Sequence, residues 1–452
     1  MPLDSDDTLG GEVRTLVRLA WPISLAQLGL IAMGLVDTAV LGRVSPTELA
    51  GAALGRSIGF AAITVALGVS TGLEPLAAQA IGAGEPDRAW QALKTTVRAV
   101  LGLWAPLMVL GYFVTFLLAP MGVGPAIVSR ARDYYVTQTP GLGLTVGFLA
   151  GKTFLQAHGR TRPALVASLV ANLVNFVVCN LLVRGDDALV DVGLAPRGLP
   201  RLGAWGAGIA FSIAEVVLVL VVFGAVWIYR PKRIESPAIP AGTVLRLGLP
   251  VGLQMLAEYG VFTLAGLLIG RFGAETVSAH QIALGLASFM YMGALGVSGA
   301  TAVRVGHAVG AGTSVRRRGM VGIAVGAAFM SLGALAFALM PTVLMRVFTV
   351  EPDVIALGTR LLYIAAFFQL FDGVQTVAGG ALRGAGDVRF AFVATIAAHW
   401  AIGFPLAFAF AFPLGYGVRG MWWGLTAGLV AIAVALAGRF SVISKRTIAR
   451  VA

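Results

Sequence analysis

Charged residues are scarce in this sequence. They make up 12% of its 452 residues, well below the ~25% that is usual in soluble proteins. Hydrophobic residues account for 58%, and the mean hydropathy is +0.87. A soluble fold of this length could not cover so much apolar surface, because its exterior must be wetted. The composition excludes a soluble enzyme, a disordered protein and a nucleic-acid-binding protein, and it predicts an all-α protein that crosses a lipid bilayer many times.

Residues that carry catalysis or hold metals are also scarce. The single cysteine, Cys179, excludes intramolecular disulfides and CxxC metal sites. The four histidines form no HExxH motif, and no P-loop is present. An intramembrane enzyme would need a deep histidine beside an acid, and His399 is the sole weak candidate. We therefore expect no enzymatic activity, no cofactor and no ATP hydrolysis, so an ion gradient must drive any transport.

Long apolar stretches fill most of the chain. A membrane helix needs ~20 mostly apolar residues to cross the hydrocarbon core. Twelve stretches qualify, and we predict membrane spans near residues 16–41, 48–73, 97–119, 135–157, 163–183, 203–229, 243–269, 277–303, 319–345, 355–382, 388–412 and 418–441. A polar linker at 231–242 separates the sixth span from the seventh. This predicts an N-terminal lobe at 1–230 and a C-terminal lobe at 243–452.

The two halves of the chain repeat one pattern. Residues 18–22 (Arg-Leu-Ala-Trp-Pro) match residues 246–250 (Arg-Leu-Gly-Leu-Pro), at an offset of 228. Further matches at offsets of 227 or 228 join 42–43 with 270–271, 81–84 with 309–312, and 155–162 with 382–389. Because each half has an even number of spans, both halves enter the membrane from the same side. The repeat predicts two pseudo-symmetric six-helix lobes, an arrangement typical of alternating-access transporters.

Basic residues in the loops indicate the orientation. The formal charge of +12 reflects 33 basic and 21 acidic residues. The loops that lie on the side of both termini carry about twice as many arginines and lysines as the opposite loops, and they include Arg304 and the cluster 316–318. The positive-inside rule then places both termini in the cytoplasm of a bacterial-type plasma membrane. We found no basic residue clearly at mid-span.

Four carboxylates lie deep in predicted spans: Asp37, Glu215, Glu258 and Asp372. A carboxylate at a helix centre costs about 2.5–3.5 kcal/mol on insertion scales, so it is seldom kept without a use or a partner. Without a fixed basic neighbour, such an acid must be protonated, hydrated or matched by a mobile cation. That requirement predicts a cation-coupled carrier. Glu215 has no polar neighbours along its helix, and its role stays open.

Polar stripes accompany three of these acids. Gln254 lies one helical turn before Glu258, and Gln369, Gln375 and Thr376 share a face with Asp372. Phe368 lies beside that stripe and could offer its ring face to a cation. In the first half, Asn172, Asn175 and Cys179 form a stripe that could face Asp37. We predict a cation site at Glu258 and Asp372, and a proton or cation site at Asp37 and Asn175, with interhelical packing as the alternative for the asparagines.

Several motifs resemble the multidrug and toxic compound extrusion (MATE) family, in its NorM-like branch. They are Pro22 with Val36-Asp37-Thr38, Leu249-Pro250 with Glu258, Ala279–Leu284 (Ala-His-Gln-Ile-Ala-Leu), Arg304–His307, and Gln369–Asp372 followed by Arg383–Asp387. The resemblance covers about residues 14–440. It implies two six-helix lobes around a central cavity. It also implies export of bulky, often cationic, amphipathic compounds in exchange for Na⁺ or H⁺.

The resemblance also implies roles for individual residues. Glu258 and Asp372 correspond to the acids that bind the coupling cation, and Asp37 corresponds to the first-lobe acid. Family members often pair that acid with two polar residues on the fifth span, of which Asn175 matches the first and Cys179 replaces the second. Further residues expected to line the cation or substrate site are Gln254, Tyr259, Gln281, Phe368, Gln369 and Gln375. No metal beyond the coupling cation is expected.

These observations predict a monomeric, cation-coupled multidrug antiporter that works by alternating access of its two lobes. Its partners would be a drug-like small molecule, a monovalent cation and the lipid bilayer, with no nucleic acid. The alternative is a related flippase for lipid-linked precursors, which would need basic residues in its cavity to hold phosphate. A membrane protein that serves only as an interaction scaffold would explain neither the deep acids nor the repeat.

Overall fold

The computed structural model of the protein describes residues 8–451. This part of the chain is almost entirely helical, and the predicted lobe ends at residues 1 and 452 lie outside it. The first half comprises α1 (Leu9–Gly42), α2 (Pro46–Thr71), α3 (Leu73–Gly82), α4 (Pro86–Val114), α5 (Pro125–Ala157), α6 (Arg162–Arg184), α7 (Asp186–Asp191) and α8 (Gly203–Ile228). The second half comprises α9 (Ala241–Ile269), α10 (Ala274–Gly310), α11 (Arg316–Leu339), α12 (Pro341–Arg346), α13 (Pro352–Ala385), α14 (Val388–Ile396), α15 (Phe404–Ala411) and α16 (Gly417–Ile443).

The predicted membrane-spanning helices are present. Within residues 8–451, eleven helical segments are long and apolar enough to cross a membrane. The predicted fourth span corresponds to α5, which has 33 residues but is more polar because it carries Arg130, Arg132, Asp133 and Lys152. Large apolar side chains such as Leu169, Leu220 and Val434 are exposed on the outside of the helices, as a lipid-facing surface requires. The all-α membrane fold is confirmed.

Three of the differences from the predicted span boundaries have local reasons. The predicted span 48–73 ends at Thr71, and the chain restarts after Gly72 as the short helix α3. The predicted span 135–157 begins ten residues earlier, at Pro125, because proline is well suited to the first turn of a helix. The predicted span 388–412 is divided by a π-helical turn at Ala397–Gly403, where Gly403 lies against Gly428 of α16.

The helices group into two compact units. The first unit contains Ala26–Leu73 and Pro86–Gly252, and the remaining residues form the second unit. In the first unit, α5 packs against α2, α4 and α8, while α6 packs against α8. The other contains the chain up to Leu25, Glu74–Glu85 and the chain from Leu253 onward. There α13 takes the position of α5 and packs against α10, α11 and α16, while α15 packs against α16. The same packing pattern in both units confirms the predicted pseudo-symmetry of the halves.

The unit boundaries do not coincide with the predicted lobe boundaries at 230 and 243. The first 17 residues of α1 and α3 from Glu74 onward belong with the second half of the chain, whereas α9 up to Gly252 belongs with the first half. The predicted linker 231–242 is fixed along α4. The Ser236 backbone N–H donates to the Asp87 carboxylate over 2.8 Å, and the Thr95 hydroxyl donates to the Ile239 carbonyl over 2.9 Å.

Candidate functional site

Asp37 is the centre of a polar cluster in the first unit. Its side chain is 1% exposed because Met33, Asp37 and Val40 lie on the buried face of α1. The Tyr134 hydroxyl, from α5, donates a 2.9 Å hydrogen bond to Asp37 Oδ2. The Asn175 amide, from α6, lies 3.5 Å from Oδ1, and the Cys179 thiol, one turn further along α6, also contacts the carboxylate. The structure thus brings Asp37 and Asn175 together as predicted, and it adds Tyr134.

A basic residue also reaches this cluster, so our expectation that no basic residue lies at mid-span was wrong. Arg56 lies in α2 and donates to the Gly34 carbonyl (2.6 Å) and to the Thr38 hydroxyl (3.0 Å), on either side of Asp37. Its guanidinium interacts electrostatically with the Asp37 carboxylate. A Cβ at position 34 would lie 2.8 Å from Arg56 Nη1, so glycine is what allows this approach. Arg56 lies within the predicted second span, and a count of basic residues in the loops does not include it.

Among the described residues, one lysine and one arginine are buried within helices. Lys152 is buried in α5 and donates to Gln27 Oε1 over 2.8 Å. Arg304, counted in the sequence as a loop cation, is a fully buried residue of α10. Arg304 forms a bidentate salt bridge with Glu12, in which Nε donates to Oε1 over 2.8 Å and Nη2 donates to Oε2 over 2.5 Å. These cations are engaged by protein oxygens.

The asparagine stripe on α6 divides into two roles. Asn172 donates to the Gly29 and Ser168 carbonyls, both over 2.8 Å, so it links α6 to α1 and makes no contact with Asp37. Asn175 is fully buried beside Asp37, and its amide oxygen has no hydrogen-bond partner among the described residues. Only the second half of the predicted stripe therefore belongs to the site.

A second polar cluster lies in the other unit. The Gln254 amide donates to Glu258 Oε1 over 3.2 Å, which is the predicted one-turn contact on α9. On α13, the Gln375 amide donates to Asp372 Oδ1 over 3.2 Å. The carboxylates of Glu258 and Asp372 lie close enough to repel each other. The structure thus brings together the two acids that the sequence assigned to the cation.

Tyr291 of α10 completes this second cluster. Its hydroxyl forms a hydrogen bond with Thr376, and it interacts electrostatically with Glu258 and Asp372. Tyr291 lies within an apolar stretch of the sequence, and the pattern of that stretch does not indicate that its hydroxyl belongs to a polar cluster. Tyr134 and Tyr291 therefore provide each cluster with one phenol.

The remaining predicted lining residues differ in their surroundings. Gln369 is fully buried, and neither its amide oxygen nor its nitrogen has a partner among the described residues. Phe368 is buried and its ring packs near Trp422, with 6.3 Å between the centroids. Tyr259 is half-buried, whereas Gln281 is exposed on α10. Their roles toward a ligand stay predictions.

Glu215 stands apart from both clusters. It is 1% exposed on α8, and its Oε2 atom has no hydrogen-bond partner in the described chain. The Thr145 hydroxyl of α5 is its side-chain neighbour. Because an isolated ionised carboxylate is very costly in such surroundings, we interpret Glu215 as a neutral acid.

A carboxylate can accept a proton, and two carboxylates with neighbouring amide oxygens are the kind of ligands that a monovalent cation takes. Among the described residues, no group of three or more histidine, cysteine, aspartate or glutamate side chains is arranged to hold a metal ion.

Ser70 lies in a Gly-x-Ser-x-Gly segment, the pattern of many serine hydrolases. It is buried inside α2, and its hydroxyl contacts the carbonyls of Ala66 (3.2 Å) and Val146 (3.1 Å) rather than a general base.

Comparison with known families gives a match to one family model. The MatE family model matches the chain twice, over residues 22–181 and 250–409, which is more than half of its length. This chain belongs to the MatE family. The two matched segments begin 228 residues apart, which is the offset of the internal repeat. The predicted resemblance to this family is confirmed.

Three related bacterial proteins each carry the name NorM, a multidrug resistance protein. A probable multidrug resistance protein NorM of Bradyrhizobium diazoefficiens is 33% identical, covering 97% of this chain and 95% of its own. The multidrug resistance protein NorM of Burkholderia vietnamiensis is 35% identical, with coverages of 94% and 92%. A probable NorM of Deinococcus radiodurans is 36% identical, with 95% of each chain covered. The chain thus spans nearly the full length of these relatives.

Solved structures share the fold. The eukaryotic MATE transporter AtDTX14 superposes with a TM-score of 0.85 at 20% identity, covering 98% of this chain and all of that one. The Vibrio cholerae MATE transporter VcmN, in its bent form, gives a TM-score of 0.82 at 19% identity, with coverages of 97% and 98%. At these identities the likeness establishes the architecture of a MATE transporter.

Proposed function

We propose that this protein is a cation-coupled multidrug antiporter that exports amphipathic, often cationic compounds. The observation that carries the proposal is a polar cluster in each repeat of a MatE-family chain, with Asp37 in the first and Glu258 and Asp372 in the second. Among the described residues, no basic side chain forms an ion pair with Glu258 or Asp372, and the two carboxylates repel each other. A mobile cation would relieve this repulsion. The names of the NorM relatives supply the substrate class.

The mechanism follows from which groups compete for the acids. A Na⁺ ion or proton that arrives from outside would bind at Glu258 and Asp372, where carboxylate and amide oxygens are available. A second proton would bind at Asp37, whose carboxylate is held by Tyr134 and Asn175. Neutralising these acids removes the charges that would hold a cationic drug. Alternating access of the two lobes then couples release of the drug to uptake of the cation.

The setting in the cell belongs to the same proposal. The positive-inside bias of the loops supports both termini in the cytoplasm, and the bacterial NorM relatives support the plasma membrane. We propose that the transport unit is a monomer, because each chain carries both repeats and both clusters.

The second candidate is a flippase for lipid-linked precursors. Such a protein would use basic residues in its cavity to hold phosphate. Lys152 lies deep in the structure, but its ammonium group donates to Gln27. Arg56 donates to Gly34 and Thr38. These contacts favour the antiporter, because the two cations already serve to hold helices together.

The test uses proteoliposomes loaded with ethidium, to which a Na⁺ gradient and a pH gradient are applied separately. Wild type is compared with D372N and D37N, each of which removes a carboxylate while keeping the size of the side chain. The matched control is D353N, because Asp353 lies in the exposed first turn of the same helix as Asp372. Expression and thermal melting in detergent verify that each variant is folded.

We expect gradient-driven efflux in wild type and in D353N, and its loss in folded D372N. Efflux driven by Na⁺ alone and lost in D372N would assign Na⁺ coupling to the second cluster. Efflux driven only by the pH gradient would assign coupling to protons and give D37N the larger effect. No gradient-driven efflux in wild type, or full activity in D372N, would overturn the proposal and favour the flippase.

A further inference from the structure

The groups around Asp37 are mainly hydrogen-bond donors. The Tyr134 hydroxyl of α5 donates to Oδ2, and the Asn175 amide of α6 presents its nitrogen to Oδ1. The Cys179 thiol of α6 contacts the same carboxylate. From α2, Arg56 brings a fixed positive charge and binds the α1 turn at Gly34 and Thr38. Donors and a cation stabilise the carboxylate form of Asp37 without any added ion.

A sodium ion would require the opposite surroundings. Hard cations are held by several oxygen acceptors, such as carboxylates, carbonyls and side-chain amides. Beside Asp37, the acceptor that is left over is the amide oxygen of Asn175. A proton needs only one acceptor, so the described side chains around Asp37 suit a proton better than Na⁺, to which they offer few free oxygen atoms. The Arg56 guanidinium also repels a second cation.

The second cluster has the complementary composition. Two carboxylates, Glu258 and Asp372, lie close together, and the buried Gln369 amide beside them has no partner among the described residues. No basic side chain forms a described ion pair with either acid. The two clusters therefore differ in the number of acids and in the tethered cation that the first one has.

We propose that Arg56 is a built-in counter-ion that determines ion selectivity in the first unit, because it reserves Asp37 for protons and keeps Na⁺ out. Arg56 is a positioning residue, since it acts through Asp37 and touches no substrate in this inference. The inference rests on the proposed antiport function and deepens it. It assigns the selectivity to Arg56, whichever ion drives the second cluster.

The first experiment measures the pH dependence of substrate binding in R56Q, R56K and wild type. Equilibrium dialysis with radiolabelled tetraphenylphosphonium suits this purpose because the probe keeps its charge at every pH. The glutamine variant loses the cation that favours the Asp37 carboxylate, so we expect its binding curve to move toward higher pH by about one pH unit or more. The lysine variant keeps the charge and should stay close to wild type.

The control is R132Q, which removes another arginine of the same unit. Arg132 lies over the Phe116 ring at 4.1 Å and donates to Thr115, away from Asp37. Its binding curve should coincide with that of wild type. G34A provides a second variant that keeps Arg56 but crowds its Nη1 atom. We expect it to shift the curve in the same direction as R56Q and by less, which holds even if R56Q itself folds poorly.

The second experiment isolates the first cluster from Na⁺ bound elsewhere. In an E258Q/D372N background, thermal melting is compared in NaCl and in choline chloride at equal concentration. We expect no sodium-specific stabilisation, since a bound ion would raise the melting temperature. Stabilisation by Na⁺ that disappears when D37N is added would overturn the inference, and so would an R56Q binding curve that matches wild type. Absence of gradient-driven efflux in wild type would instead count against the proposed function, so the two failures are distinguishable.

Discussion

At the scale of single residues, the neighbours of each acid determine what it can do. Asp37, Glu215 and Asp372 are all buried carboxyl groups in helices. Asp37 has a tyrosine donor and an arginine, Asp372 has a second carboxylate nearby, and Glu215 has one threonine. Similar burial therefore comes with three different chemical surroundings, and each favours a different balance between the charged and the neutral form of the acid.

Asp186 lies outside the membrane-spanning helices and organises the loop after α7. Its carboxylate accepts backbone N–H bonds from Arg197 (2.9 Å), Gly198 (2.8 Å) and Leu199 (3.0 Å). These bonds, led by that from Arg197, hold the pKa of Asp186 below its usual range. An acid with a lowered pKa stabilises the fold above its unfolded value, and this stabilisation is lost as the pH falls through the folded value.

We therefore predict a loop that stays ordered from neutral pH down to about 4, the usual pKa of aspartate, and loosens only below it. The measurement is the mobility of a spin label at Ala195→Cys. D186N should loosen the loop at neutral pH, because an amide lacks the charge and the second acceptor oxygen. D187N is the control, since Asp187 forms an exposed pair with Arg201. Equal mobility in D186N and wild type would contradict the prediction.

At the scale of helices, α2 and the start of α9 cross at their glycines. Gly68 and Gly72 lie one turn apart on α2, at its end, and Gly248 and Gly252 lie one turn apart on α9. A Cβ at Gly68 would overlap the backbone of Gly252, and one at Gly248 would overlap the backbone of Val69. Small residues at this spacing allow backbones to touch in membrane helices. All four residues belong to the first unit.

We predict that G68A destabilises the protein by about 1–3 kcal/mol, the range for overpacking, because a backbone cannot move aside as a flexible side chain can. Thermal melting in detergent is the measurement. G224A is the control, since Gly224 lies inside α8 with open space around its Cβ position. It should be neutral or slightly stabilising. If G68A melted at the same temperature as G224A, the close crossing would be refuted.

The sequence predicted helices, the repeat and the grouping of the acids better than it predicted connections across the chain. Hydrophobic length predicts each span, and one-turn spacing predicts pairs such as Gln254 with Glu258, because both depend on local geometry. Arg56 and Tyr134 reach Asp37 from other helices, and no local pattern indicates which helix faces lie together. At Gly72, where α2 ends, the chain lies against Gly248 of α9, and no local pattern indicates that contact. Local rules cannot show such approaches.

At the scale of the whole molecule, segments of the first half are built into the unit of the second half. Three ion pairs in that unit join residues that are far apart in sequence. Glu12 pairs with Arg304, Glu74 pairs with Arg383 over 3.0 Å, and Glu85 pairs with Arg450 over 2.6 Å. The beginning of α1 and the chain at Glu74–Glu85 are therefore held by charge as well as by packing. Separating the chain at the linker would leave these charges without their partners.

The Glu12–Arg304 pair is the most buried of the three, with side chains 4% and 2% exposed. Breaking a buried pair leaves one charge uncompensated and costs about 3–5 kcal/mol, whereas removing both charges costs much less. We predict that E12M and R304M each lower the unfolding free energy strongly and that the double variant is more stable than either. Unfolding by denaturant in detergent measures the free energies of wild type, the two single variants and the double variant.

The exposed pair Asp187–Arg201 is the control, and the coupling energy between its two residues should be at most about 1 kcal/mol. Additive losses at Glu12 and Arg304 would show that the pair does not join the two halves energetically, and packing alone would then hold α1 in the second unit.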